Sequence, residues 1–264
     1  MELDTPNDEF AVYWQPGCSS CLRAKEFLTA NGIDFKSINV LEDESAMSRL
    51  ANLGARSIPV ITLGNKFVFA QDIDVLADFV GIKVNREMLS PDELIARLDL
   101  ILAAAQRYLA QLPVSILEKK LPGRDRTYLD LAYHVFMIPV AFLDAARGAE
   151  LTFEHFERTP PLDIATPDKI ISFGKDVRNE LSSWWQSAKT ESYPNNVKTY
   201  YGQHSTHSVL ERTTWHTAQH ARQLMQLLIN ADISPDGPLS KRELAGLPLP
   251  EEIYDDEVKL DKTA

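Results

Sequence analysis

The feature that most constrains this chain is the motif Cys18-Ser19-Ser20-Cys21, which contains its only two cysteines. The motif follows an apolar, aromatic segment at residues 10–15 that is typical of a β-strand, and it opens a helical pattern at 18–31. A secreted disulfide framework needs more cysteines, spread along the chain. The pair therefore indicates thiol chemistry rather than a structural disulfide.

The first 82 residues alternate short strands and helices. Gly64-Asn65, between two apolar runs, is a strong hairpin signal. The predicted elements are strand 10–15, helix 18–31, strand 35–40, helix 45–53, strands 59–63 and 66–70, and helix 72–80. With the cysteine pair, and with Ile58-Pro59 opening the third strand, this order resembles the thioredoxin fold. Its length and hairpin are similar to those of the glutaredoxins. The resemblance covers residues 8–82 and implies a cis proline beside the cysteines.

The two cysteines have different predicted roles. Cys18 falls at a helix start, where free N–H groups and the helix dipole favour an anion and lower a thiol pKa. Cys21 lies one turn further on, close enough to resolve a mixed disulfide. We therefore expect Cys18 to attack and Cys21 to resolve. Two alternatives remain open: half of a zinc site, or a thioredoxin fold kept only as a binding or dimerisation module.

The resemblance also implies a partner for this domain, namely glutathione or another low-molecular-weight thiol. Ile58 and Pro59, beside the cysteines, are predicted to contact that thiol. Gln71 and Asp72, at the start of the last helix, are predicted to hold its γ-glutamyl end.

A second domain is predicted after a polar linker at residues 83–90. Ser90 with Glu93 forms a capping box, and Pro91 suits the first helical position. Residues 91–232 contain four long amphipathic patterns, which indicate an all-α four-helix bundle. The predicted helices are 91–112, 125–146, 167–188 and 208–232. Pro139 should kink the second helix or end its first half. Residues 233–264, with four prolines and an acidic end, should form an extended tail.

The histidines of the bundle locate a candidate metal site. His216 and His220 are four residues apart, which places both on one helix face. His134 lies in an apolar run of another helix, so the three would form a facial set. Neutral imidazoles suit Zn²⁺ or Ni²⁺, and three protein ligands leave a position open for water or substrate. The competing interpretation is that the pair at this spacing is structural or incidental.

The segment WHTAQHARQLMQLL, which contains His216 and His220, resembles the last core helix of the DinB-like proteins. That family includes bacillithiol transferases and mycothiol-dependent isomerases, and members without metal exist. The resemblance covers about residues 91–232 and implies that His134, His216 and His220 are the metal ligands. His155, His204 and His207 are expected to be bystanders.

Charge and hydropathy exclude several classes of partner. A formal net charge of −11 disfavours nucleic acids and anionic membrane surfaces. We expect no membrane span, because no run approaches roughly 20 apolar residues. The N-terminus is acidic and polar, unlike a secretory signal, so we expect a cytoplasmic protein.

The fusion of the two predicted domains suggests one shared thiol. The leading hypothesis is a metal- and thiol-dependent transferase or isomerase that acts on an electrophilic small molecule. Its redox domain would bind, supply or recover the thiol. One alternative is a thiol-disulfide oxidoreductase whose bundle is a specificity or dimerisation module. Another is a non-catalytic thiol or metal sensor. Bundles of this type often pair, which leaves a homodimer open.

Overall fold

The computed structural model of the chain describes residues 9–190, 193–255 and 257. The chain divides into two compact units. The first contains the described residues up to Arg86 together with those from Pro250 onwards, and the second is Glu87–Leu249. The C-terminal segment therefore returns to the first unit.

The first unit is built on a four-stranded sheet. Its elements in chain order are β1 (Phe10–Trp14), α1 (Ser19–Ala30), β2 (Phe35–Asn39), α2 (Ala46–Leu53), β3 (Val60–Leu63), β4 (Lys66–Phe69) and α3 (Ile73–Phe79). The strands lie in the order β2-β1-β3-β4, and β1 is parallel to β2 but antiparallel to β3. This confirms the predicted element order. Helices α1 and α3 begin one residue later than predicted, because Cys18 and Asp72 are their N-caps.

The core of this unit lies along β1 and β3. Val12 pairs with Ile61 and Tyr13 with Val60, and all four side chains are buried. Such β-branched and aromatic residues suit a packed sheet. Cys21 of α1 belongs to the same buried cluster. The helix that carries the second cysteine is thus fixed by the core.

The second unit is a four-helix bundle with small additions. Its elements are α4 (Pro91–Gln111), α5 (Val114–Leu117), α6 (Tyr128–Ala146), a 3₁₀ helix (Phe153–Phe156), α7 (Pro167–Ala188), β5 (Asn196–Thr199), β6 (Gly202–Ser205), α8 (Thr206–Asn230) and α9 (Lys241–Leu244). Helices α4 and α6 each pack against both α7 and α8. The predicted fold class, a thioredoxin-like domain followed by a largely helical region, is therefore confirmed.

Helix α6 departs from the prediction at its start and in its middle. It begins at Tyr128 rather than at 125, because the side chains of Thr127 and Asp130 form a capping box. It does not end at Pro139, because the residues around the proline are buried and their packing offsets a penalty of about 3 kcal/mol. By length and composition α6 is apolar enough to cross a membrane, but most of it is buried inside the bundle.

Residues 233–255 do not form the extended chain that the sequence predicted for 233–264. The Leu239 N–H donates to the Tyr108 hydroxyl at 2.8 Å, and α9 begins with a capping box. Further on, the buried Asp255 pairs with Lys25 of the first unit at 2.8 Å. The four prolines indicated an extended chain, whereas the Leu239 backbone N–H and the Asp255 side chain make contacts that the local sequence does not show.

Candidate metal centre and thiol site

The structure brings His134, His216 and His220 together, although the first lies on α6 and the others on α8. All three are buried, with exposed fractions of 5%, 7% and 3% respectively. One ring nitrogen from each lies within 4.8 Å of the others. Within the described residues, these three histidines form a group of possible metal ligands whose donor atoms lie close enough together to bind one ion.

The nitrogen positions fit a small divalent ion. The Nε2 atoms of His216 and His220 are 3.1 Å apart. Two nitrogens bound at about 2.0–2.1 Å around a tetrahedral ion would be separated by roughly 3.3 Å. The His134 ring centroid lies 5.5 Å from that of His216 and 5.0 Å from that of His220. Small adjustments of the three side chains would therefore bring one nitrogen of each to a single ion.

The protonation state also suits ligation, because a ligand histidine must be neutral. Burial is the main cause that lowers the pKa of His220 to about 4, and a hydrogen bond to Gln223 opposes it. Burial likewise lowers the pKa of His134 well below its usual value, and the nearby His220 adds to this effect. Two ligand candidates are thus neutral at physiological pH.

Gln223 selects the tautomer of His220. Its Oε1 lies 2.7 Å from His220 Nδ1 and, as an amide carbonyl, accepts the Nδ1 proton. The lone pair of His220 is then on Nε2, the atom that faces His216. The His134 Nδ1 is buried and has no hydrogen-bond partner among the described residues, and a buried imidazole nitrogen left in this way is costly. Gln223 was missed from the sequence, although its i+3 spacing from His220 was visible.

The remaining histidines lie outside the triad. His207 Nε2 is 2.8 Å from the Leu89 carbonyl, and His155 Nδ1 is bonded to Thr152. Phe156, the last residue of the 3₁₀ helix before α7, packs against the triad, with its ring 6.0 Å from His134 and 5.9 Å from His216. This apolar cover was also missed, because the local sequence does not indicate which helices this segment packs against.

The thiol site lies at the start of α1. Cys18 is the N-cap, and its Sγ accepts a hydrogen bond of 3.2 Å from the Cys21 N–H. The two cysteines form a disulfide. Cys18 is partly exposed whereas Cys21 is fully buried, so Cys18 is the sulfur that an external thiol reaches. The helix-start position and the difference in exposure agree with the predicted roles.

The four residues predicted to bind the thiol differ in their burial and in their hydrogen bonds. Ile58 and Pro59 are buried and joined by a cis peptide bond, as predicted for the proline. Gln71 is only 1% exposed, and its Nε2 donates to the Ile58 carbonyl at 2.9 Å. Its side chain therefore supports the backbone at Ile58. Asp72 is partly exposed and accepts the Asp74 N–H as the cap of α3.

Comparisons with known proteins give a family match for part of the first unit and similarities to two other proteins. The family model described as Glutaredoxin matches residues 10–68, which include both cysteines and Ile58-Pro59. The first unit is a glutaredoxin-like domain. The Gene 56 protein of Mycobacterium phage L5 is 43% identical over 51 residues, which are 19% of this chain and 50% of that protein. The match thus spans half the length of that relative. A crystal structure of a thioredoxin-like protein mutant, 29% identical, aligns with a TM-score of 0.27 over 28% of this chain and 97% of its own.

The glutaredoxin-like domain indicates a thiol–disulfide redox function. Its chemistry follows from the two sulfurs. In such a reaction a Cys18 thiolate would displace one half of an external disulfide and form a mixed disulfide with the other half. Cys21 would then attack the Cys18 sulfur and release the second thiol, which would leave the Cys18–Cys21 disulfide that the structure contains.

Proposed function

We propose that this protein is a metal- and thiol-dependent transferase or isomerase, whose glutaredoxin-like domain binds, supplies or recovers the thiol. The observation that carries the proposal is the buried triad, in which three imidazoles from two helices converge. Three ligands are typical of catalytic sites, which keep one position open for water or substrate. The resemblance of α8 to the last core helix of DinB-like proteins supports the same assignment.

The residues of the bundle would hold a divalent ion, with Zn²⁺ or Ni²⁺ the best match to imidazole ligands. Bound there, such an ion would lower the pKa of a thiol at its open position and so supply a thiolate at neutral pH. Gln223 keeps the Nε2 lone pair of His220 directed to the site. The Phe156 ring against His134 and His216 limits the access of water.

The thiol partner is proposed to be glutathione or a similar small thiol, and the second substrate an electrophilic small molecule. Mixed-disulfide exchange at Cys18 and Cys21 would return oxidised thiol to its reduced form, with the electrons taken from the two cysteines. Because the cysteine pair is in the same chain as the bundle, its effective concentration is higher near the thiol that the bundle would use.

Activity of the full chain tests this proposal. Wild-type protein, supplied with zinc, is incubated with glutathione and 1-chloro-2,4-dinitrobenzene, and thioether formation is followed. We expect catalysis that the His216→Ala substitution removes and that the Cys18→Ser, Cys21→Ser double substitution leaves during the first turnovers with reduced glutathione. Catalysis that survives in His216→Ala would reject the metal-thiolate proposal.

A second candidate is a thiol-disulfide oxidoreductase that uses the bundle only for specificity or dimerisation. The cysteine disulfide and the Glutaredoxin match favour it. The two candidates are distinguished with the full chain in which the three histidines are mutated. A short N-terminal fragment would not serve, because the first unit includes residues from Pro250 onwards. Full disulfide reductase activity in that variant, together with no transferase activity in wild type, would favour this second candidate.

A further inference from the structure

Arg212 lies on the same face of α8 as the triad. It precedes His216 by four residues and His220 by eight, so the three side chains follow one another along that face. The guanidinium is 6% exposed and lies over the rings of three aromatic residues, Phe156 at 5.3 Å, Tyr200 at 5.9 Å and Tyr201 at 5.1 Å. Its Nη2 donates to the Tyr200 hydroxyl at 2.9 Å, whereas its Nε is buried without a hydrogen-bond partner in the described part of the chain.

A second guanidinium reaches the same place from the loop before α6. Arg126 Nη1 donates to the Phe156 carbonyl at 3.3 Å, and Arg126 Nη2 is buried with no hydrogen-bond partner among the residues described. Burial is the main cause that lowers the pKa of Arg126, while Asp130 and Glu157 oppose it. Burial also lowers the pKa of its neighbour Arg124. At both arginines, nearby carboxylates therefore offset the unfavourable effect of burial on the charged form only in part.

Phe156 connects the two arginines to the triad. Its ring contacts His134 and His216 and lies under Arg212, and its carbonyl accepts from Arg126. We infer that Arg126 and Arg212 form an anion subsite beside the triad, and that this subsite takes a carboxylate of a small molecule bound there. The subsite rests on the observed side chains, and the assignment of its ligand as thiol or electrophile rests on the proposed function.

The chemistry of the two side chains favours a small carboxylate over other anions. A planar guanidinium offers paired N–H donors that match a carboxylate, and such charge-assisted bonds are the strong ones. The arginines are a local exception in a chain of net charge −11, which repels polyanions. Burial of Arg212 further restricts the ligand to a small molecule.

A matched pair of probes tests the subsite. 3-Mercaptopropionate and 3-mercapto-1-propanol have the same thiol and chain length but end in a carboxylate and a hydroxyl. Their dissociation constants are measured by calorimetry on the full-length protein supplied with zinc. We expect the carboxylate to bind about tenfold more tightly, as charge-assisted hydrogen bonds allow. This preference should fall below about twofold in Arg126→Met and in Arg212→Met. Arg147→Met, which removes an exposed ion pair with Glu180, serves as the charge control and should keep it.

Two further measurements separate this inference from the proposed function. Zinc content is measured on each variant, and both arginine variants should retain the wild-type value because neither residue is a ligand. Propionate is titrated as a competitor, and competition against 3-mercaptopropionate but not against 3-mercapto-1-propanol would mark the carboxylate as the group recognised. If zinc does not bind, the same preference is measured without metal, and its presence upholds the subsite while the proposed function fails. Equal affinity for the two probes in wild type, or an undiminished preference in both variants, overturns the inference.

A third arm identifies which reactant supplies the carboxylate. The acceptors cinnamaldehyde and 4-carboxycinnamaldehyde, without and with a carboxylate on the ring, are compared using 3-mercapto-1-propanol as the thiol. A preference for 4-carboxycinnamaldehyde that disappears in Arg212→Met assigns the subsite to the electrophile. No such preference, with the 3-mercaptopropionate preference intact, assigns it to the thiol.

Discussion

His216 and His220 face each other through their Nε2 atoms at 3.1 Å on successive turns of α8. Two imidazole nitrogens at this distance either share a proton or share a cation. Gln223 decides which nitrogen of His220 takes part, because its Oε1 accepts the Nδ1 proton at 2.7 Å. The pair therefore presents the lone pair of His220 Nε2 towards His216, as the proposed metal site requires.

Removal of the Gln223 carbonyl should weaken metal binding without unfolding the helix. We predict that Gln223→Met lowers zinc affinity about 10- to 100-fold, as is usual when a partner of a ligating histidine is lost. Gln226→Met is the control, since that side chain bonds only to Asn230 on the exposed surface. Competition with a chromophoric chelator measures both affinities. Equal losses in the two variants would reject the role of Gln223.

The cysteine pair should behave asymmetrically. Cys21→Ser should accumulate a mixed disulfide with glutathione on Cys18, whereas Cys18→Ser should form none, because Cys21 is fully buried. Mass spectrometry of the intact protein detects the adduct. We also expect the reduced Cys18 to titrate below the ordinary thiol value of about 8.5. An adduct on Cys21, or a Cys18 that titrates at the ordinary value, would reverse the assignment.

Without metal, the second unit should lose stability in acid. Burial lowers the pKa of His220 from 6.5 to about 4. Between these pH values His220 is therefore protonated in the unfolded state and neutral in the folded state. This contribution is fully present above pH 6.5 and is lost as pH falls towards 4; it amounts to roughly 3 kcal/mol. Urea unfolding of chelator-treated protein, at several pH values in this window, measures the loss. His220→Asn should show a shallower pH dependence, and an equal slope would contradict the prediction.

The contact between α6 and α7 should tolerate no added methyl group. A Cβ on Gly174 would lie 2.6 Å from the Phe136 ring, which is fully buried and has no room to move. We predict that Gly174→Ala lowers the free energy of unfolding by about 1–3 kcal/mol despite the better helix propensity of alanine. Ser172→Ala, at an exposed position of the same helix, should cost almost nothing. Thermal melts of both variants test this, and equal stability would show that the ring can yield.

Local pattern was enough to predict the fold and much of the candidate sites. Strand alternation, helical spacing and the capping box at Ser90 depend on neighbouring residues, and those elements were predicted within a few residues. The triad was accessible for the same reason, because the i,i+4 pair defines one face and His134 lies in an apolar helix that must face inwards.

The missed features depend on contacts between residues far apart in sequence. Lys25 and Asp255 pair across 230 positions. Because local sequence does not show such a contact, residues 233–264 were predicted to be extended. Arg212 would ordinarily belong to a solvent-facing side of its helix, but the Phe156 and Tyr200 rings, from segments outside α8, cover it. The bond from Gln71 to the Ile58 carbonyl is likewise not visible in the sequence.

The metal content of the full-length protein, purified without a histidine tag and dialysed after incubation with zinc or nickel, tests the central claim most directly. Wild type and the His207→Ala control are predicted to retain one divalent ion per chain. The control removes a histidine ring that bonds to the Leu89 carbonyl and lies outside the triad. The His134→Ala, His216→Ala double variant is predicted to retain none while keeping its helical content. Stoichiometric metal in the double variant, or a wild-type protein that retains neither zinc nor nickel, would contradict the account.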